Sequence, residues 1–404
     1  MRWRGLRAFA LVCALTASLS LAACDDSSPS KAKLSDSSGL IKPGAATAVP
    51  AVQTAGHEVS KPGPRKDRLW RPDVLIFARQ SLSSDMVAQI KKLKGVAHVE
   101  SFSLGQVTIE NHALTIASVD PGTFRLFAPA ASADTQAVWD RIAGGELAID
   151  PKLGKKFQND AGEMVLGNGA NAPAIHIGAY APLPTTIDMA VNESWVKTLR
   201  MATGNALLIS TDVDDPSVIR KPIQKIVGKD ASVQNLDIAS RLGLDPDVKQ
   251  TAFLTGGTIA DVVGPFSYRV IGGGRIAPDA SWVAANITTE VMPIIGPMTC
   301  NKAIFPQLRA ALNEVIAQGL SSALHPNEYA GCYYPRFIAG TSTLSNHSFG
   351  LAMDFNVPGN QRGTVGEMNR TVVQIFKDWG FAWGGDWHYT DPMHFELREL
   401  AQPR

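Results

Sequence analysis

Ser345-Asn-His347-Ser-Phe-Gly350-Leu-Ala-Met-Asp354 and Gly384-Gly-Asp-Trp-His-Tyr-Thr-Asp391-Pro-Met-His394-Phe-Glu396 decide the reading of this chain. Three of its eight histidines fall in these two stretches, each close in sequence to an acid. A catalytic zinc takes three protein ligands and keeps one position for water. His347, Asp354 and His394 supply two imidazoles and one carboxylate, a donor set suited to that ion. Gly350 permits a bend that brings His347 and Asp354 onto one metal, and Pro392 holds Asp391 near His394 without making it a ligand.

The surrounding pattern supplies a scaffold. Leu351-Ala-Met-Asp-Phe-Asn356 alternates as a strand does, with Leu351, Met353 and Phe355 on one face and Ala352, Asp354 and Asn356 on the other. Phe305, Leu308, Leu312, Val315 and Ile316 mark one face of a helix that Gly319 ends. Thr364-Val-Gly-Glu367 reads as a capping box opening a second helix, which buries Met368, Val372, Ile375, Phe376 and Trp379 and stops at Gly380.

The pattern Ser-x-His-x-x-Gly-x-Ala-x-Asp, followed by Asp-x-x-His-Phe, resembles the LAS-type zinc metallopeptidases over about residues 280–404. Within that group it is similar to the branch of D-alanyl-D-alanine carboxypeptidases and L-alanyl-D-glutamate endopeptidases. The resemblance implies one Zn2+ per chain on His347, Asp354 and His394, with Asp391 as general base. It implies that the metal lowers the pKa of a bound water from roughly 15.7 towards ~7, and that Arg336 stabilises the developing oxyanion. Ser345, Trp387 and His388 are candidates for substrate contact, and Glu396 either orients His394 or rivals Asp391 as base. Members that remove terminal D-Ala carry Glu-x-x-His at the base position. The endopeptidase branch has Asp-x-x-His after Gly-Gly-Asp-Trp, as this chain does. The implied activity is therefore hydrolysis of peptidoglycan stem peptides, between L-Ala and D-Glu. The alternatives are a D-alanyl-D-alanine carboxypeptidase and a zinc-containing wall-binding module that does not cut.

From Trp70 to about residue 265, short apolar runs alternate with helical spacing, which reads as a mixed α+β binding or scaffold domain. Val74–Ala78, Val107–Ile109, Leu114–Ala117, Ala174–Ile177 and Ala206–Ser210 are expected strands, and Asn111-His112 is the expected turn of a hairpin. Ser217–Val227 is an expected helix, and Gly272-Gly-Gly274 a turn. His98, His112 and His176 stand singly, so no chemistry is expected here. Ile116-Ala-Ser-Val-Asp-Pro-Gly-Thr-Phe124, Gly145-Glu-Leu-Ala-Ile-Asp150 and Ile175-His-Ile-Gly178 resemble the extracytoplasmic core of MacB- and FtsX-type permeases. No membrane helices accompany that resemblance, so it implies an envelope-protein contact rather than transport.

Arg2, Arg4 and Arg7 precede an uncharged stretch from Ala8 to Ala23, which has the form of a secretory signal. Leu21-Ala-Ala-Cys24 resembles a bacterial lipobox, implying cleavage after residue 23 and lipid attachment at Cys24. The protein is thus expected outside the cytoplasm, lipid-anchored to the cell membrane. Residues 24–65 have no aromatic side chain and read as a flexible tether, with His57 solvated. After export, Cys300 and Cys332 remain, and an oxidising compartment favours a disulfide between them over two free thiols.

The expected organisation is α+β in two domains. A scaffold at 66–270 precedes a peptidase domain at 280–404, built as a small antiparallel sheet with flanking helices. At 404 residues the chain is long enough for both. Its 38 basic against 37 acidic residues give no electrostatic footprint for nucleic acid.

Overall fold

The computed structural model describes residues 40–42, 56–167, 169, 172–236, 249–338, 341 and 343–403. The signal sequence, Cys24 and most of the expected tether lie outside these residues. Among the described residues, no helix is long and apolar enough to cross a membrane.

The α+β expectation holds. Residues 74–235 are organised on a nine-stranded mixed sheet. Its order is Ala231–Asn235, Val74–Ala78, Ala206–Ser210, His98–Ile109, His112–Val119, Met189–Asn192, Leu147–Ile149, Ala174–Tyr180 and Glu163–Val165. The uninterrupted apolar runs at 74–78 and 206–209 follow from burial on both faces. Leu75, Phe77 and Leu208 enter one core, whereas Val74, Ile76, Leu207 and Ile209 enter another with the Ser217–Val227 helix. The His98–Ile109 and His112–Val119 strands form a long antiparallel hairpin. Its turn residues are Glu110 and Asn111, with φ of 44° and 61°, so His112 belongs to the strand and not, as expected, to the turn.

Segment 56–65, expected in the tether, lies against this sheet. Val59 N–H donates to Ala143 O at 2.7 Å, and Gln136 donates to Pro62 O at 2.7 Å. His57 is not solvated, because its ring stacks on buried Trp195 with centroids 3.6 Å apart.

The C-terminal region centres on a three-stranded antiparallel sheet, Ala352–Asp354, His394–Leu397 and Phe381–Trp383, with His394–Leu397 in the middle. Leu351, Met353 and Phe355 are fully buried in its core, as the alternation predicts, although the paired strand is shorter than the expected 351–356 because Asn356 turns left-handed at φ 51°. Helix Phe305–Ala317 presents Phe305, Leu308, Leu312 and Val315 to the same core, but Ile316 is 45% exposed. That core also takes in Phe266 and Tyr268 from a three-stranded sheet over residues 249–278, whose hairpin turns at Gly272–Gly274, and Ala113 from the long hairpin.

The second helix corrects the capping-box expectation. It runs Arg370–Asp378, and Asn369 is its N-cap, accepting from the Thr371 and Val372 amides at 2.9 and 3.2 Å. Gly366, at φ 69°, breaks any helix begun at Thr364, whose hydroxyl instead donates to Gln361 O. Asn369→Ala is therefore expected to cost about 1 kcal/mol in urea denaturation, whereas Thr364→Ala changes stability by no more than about 0.5 kcal/mol.

Candidate metal centre

Antiparallel pairing places Asp354 directly opposite His394 across two adjacent strands. His347 reaches the same point from a short 3-10 turn, Asn346–Phe349, capped by the Ser345 hydroxyl. Gly350 ends that turn in the left-handed region at φ 66°, and a Cβ there would lie 2.6 Å from the Asn301 backbone nitrogen. Bend and close approach both require glycine, so the chain drops from His347 directly into the strand bearing Asp354.

The three side chains converge. One ligand atom from each lies within 4.8 Å of the others. His347 Nε2 is 3.3 Å from Asp354 Oδ2, and His394 Nδ1 is 3.1 Å from Asp354 Oδ1. Both imidazoles are almost completely buried. His347 Nδ1 donates to the Cys332 carbonyl at 2.8 Å. A carbonyl only accepts, so the neutral ring carries its lone pair on Nε2, which is buried and has no hydrogen-bond partner. An orphaned acceptor at this point, beside a carboxylate and a second imidazole, is a place that could hold a cation. The donor set fits zinc.

A further layer holds these groups. The Cys300–Cys332 disulfide ties the residue whose carbonyl orients His347 to the Gly296–Asn301 strand. Fully buried Glu396 bonds His394 Nε2 at 2.9 Å and accepts from Asn346 Nδ2 at 3.0 Å. Ala352, opposite Glu396 in the sheet, is small enough to leave room for it. Glu396 thus sits behind the His394 ring, as an orienting partner should. Burial alone would raise the Asp354 carboxyl, yet the facing His347 and His394 imidazoles, in their protonated forms, hold it well below the usual range. Burial alone would lower His394, but its hydrogen bonds to Asp354 and Glu396 carry it up to about 10.

Asp391 adjoins this cluster. Its N–H donates to Gly384 O at 2.8 Å, and glycine is required at 384 because a Cβ would meet the Asp391 carbonyl at 2.4 Å. Asp391 Oδ1 is buried without a hydrogen-bond partner, and burial raises its carboxyl while the His394 charge opposes that rise. Trp387 packs on His394 with ring centroids 4.9 Å apart, and the His388 N–H donates to Glu110 at 3.3 Å.

Two expected roles fare differently. Ser345 is fully buried and its hydroxyl is engaged by Asn111 and the His347 amide, so it is a structural cap and not a substrate contact. The Arg336 guanidinium donates to Phe337 O at 3.4 Å and lies 6.0 Å from the Tyr334 ring, with no described contact to the cluster. Arg362 escaped the sequence reading, although its Nε lies 3.9 Å from Asp391 Oδ2. Tyr329, whose buried hydroxyl has no partner and whose pKa is raised by burial and by the Asp354 charge, was missed as well. Neither carries a local spacing signal.

Residues 339–397 match the family described as D-alanyl-D-alanine carboxypeptidase, a span that contains His347, Asp354, Asp391, His394 and Glu396. The C-terminal region resembles the LAS-type peptidases. No curated protein matches the chain. Among solved structures, the periplasmic region of MacB from Actinobacillus actinomycetemcomitans is similar at 13% identity and a TM-score of 0.26, covering 41% of this chain and 89% of that one.

Gly350→Ala forces a side chain into left-handed backbone against Asn301. It is expected to lower the stability of the protein by about 1–3 kcal/mol, read as a reduced urea midpoint.

Proposed function

We propose that this chain is an extracytoplasmic zinc peptidase that cleaves peptidoglycan stem peptides, as an endopeptidase between L-Ala and D-Glu. The observation that carries the reading is the convergence of His347, Asp354 and His394 around the orphaned Nε2 of His347. When bound, zinc supplies Lewis acidity that makes water acidic enough to ionise near neutral pH.

The chain's own residues do the rest. Asp391 accepts the proton of the attacking water at its unpartnered Oδ1 and returns it to the leaving amine. A carboxyl raised by burial is better matched to that exchange than a solvated one. Arg336 is assigned the developing negative charge, which requires its guanidinium to turn from the Phe337 carbonyl towards the bound peptide, and Trp387 packs beside His394 with His388 next to it in the chain. Glu396 keeps the His394 ring in register and is not the base, because its carboxylate faces Asn346 and the far ring nitrogen.

The endopeptidase reading is supported by Gly384-Gly-Asp-Trp before Asp391-Pro-Met-His394. A D-alanyl-D-alanine carboxypeptidase is the second reading, favoured by the description of the family that matches residues 339–397. In either case the peptidase region takes in the 249–278 sheet that shares its core, and residues 56–236 form a scaffold that meets an envelope protein, with the tether confined to residues before 56 and Cys24 as the lipid-anchored residue after a signal at 1–23. The Cys300–Cys332 disulfide supports an oxidising compartment.

Incubation of the chain with purified peptidoglycan, followed by mass analysis of the fragments, tests the activity. New L-Ala and D-Glu termini that vanish with a chelator and return with zinc are expected. Release of D-Ala instead selects the second reading, and an unchanged wall overturns both. Asp391→Ala is expected to retain zinc in metal analysis while turnover falls about 10²–10⁴-fold.

A further inference from the structure

We infer that Asn111, on the hairpin turn of the preceding sheet, is a positioning residue of the metal centre. The residue is 8% exposed and stands at φ 61° directly after Glu110 at φ 44°. Two successive positive φ values make the tight hairpin turn that asparagine tolerates well. Its side chain leaves the hairpin entirely. Asn111 Oδ1 accepts from the Ser345 hydroxyl at 3.0 Å and from the Asn346 backbone N–H at 2.6 Å.

From that single oxygen, connections lead to both imidazoles. The Ser345 hydroxyl gives its proton to Asn111, which leaves its lone pairs to accept the His347 N–H at 3.3 Å. Asn346, whose backbone Asn111 holds, donates through Nδ2 to Glu396 Oε2, the same oxygen that bonds His394 Nε2. The hairpin is itself fixed beside the site. Ala113 N–H donates to Leu344 O at 3.3 Å, Thr255 N–H donates to Gln106 O at 2.7 Å, and Glu110 accepts the His388 N–H at 3.3 Å. Removing the Asn111 carbonyl strips a buried hydroxyl and a buried amide of their acceptor together, and the 345–347 turn relaxes away from its seat. The metal centre is therefore completed by a residue 234 positions earlier in the chain than Ser345.

The inference rests on the metal reading of the triad, and the test separates the two. The full chain is prepared as wild type, Asn111→Gly, which keeps the left-handed turn and deletes the acceptor, and Asn111→Asp, which keeps an acceptor oxygen. Zinc affinity is measured by competition with a chromophoric chelator, and amide hydrogen exchange is followed at residues 345–348. Asn111→Gly is expected to weaken zinc binding about 10-fold or more and to speed exchange at Asn346 and His347, while Asn111→Asp stays close to wild type in both. Unchanged affinity and unchanged exchange in Asn111→Gly overturn the inference. Failure of Asn111→Asp to restore what Asn111→Gly loses overturns the role of the acceptor oxygen. Should the wild type bind no zinc, the metal reading falls, and the exchange comparison by itself decides whether Asn111 holds the turn.

Discussion

The register between two short strands governs the candidate site. Asp354 and His394 are cross-strand partners in an antiparallel ladder, and side chains so placed point to the same face at close range. A slip of one residue would turn His394 and Glu396 into the apolar core and Phe395 onto the face that carries Asp354. Met353, Phe355 and Phe395 are all fully buried on the opposite face, so hydrophobic burial itself fixes the alignment of the polar face. Packing and chemistry are thus two sides of one sheet, and neither can shift alone.

A carboxylate and an imidazole brought together need a third donor and restraint. His347 arrives on a turn bounded by the Ser345 cap and the left-handed Gly350, and its ring is aimed by the carbonyl of disulfide-bonded Cys332. His394 is aimed from behind by Glu396. Each imidazole therefore has one nitrogen engaged by the protein and the other directed towards Asp354. Such restraint lowers the ordering cost of binding a cation, because rings already held lose little freedom.

Much of this was legible in the sequence because metal chemistry restricts which residue types can stand together and at what spacing. The strand alternation from Leu351 to Phe355 and the glycine bend at 350 are local constraints, and both are met in the fold. The cap of the last long helix was misread because Thr364 and Glu367 satisfy a pattern whose geometry Gly366 forbids, while Asn369 stands where the helix begins. Ser345 could be recognised as part of a motif, but not as a buried cap, since its partner Asn111 is far away in sequence. The long hairpin was foreseen as strands, yet nothing in its own residues announces that its tip leaves one sheet to reach another. Contacts of that kind depend on how two layers pack and leave no periodic trace.

The hairpin has a bearing on how this chain can be divided. Val107, Ile109, Leu114 and Ile116 belong to the core of the large sheet, whereas Ala113 is buried among the side chains under the small one. Phe266 and Tyr268, from a sheet that precedes residue 280, lie in that second core as well. Excising the last stretch of the chain as a stand-alone catalytic fragment would strip away part of its apolar floor and leave the newly bared surface prone to self-association. Shared side chains of this sort make unfolding a joint event, so the two regions are expected to melt in concert rather than in sequence.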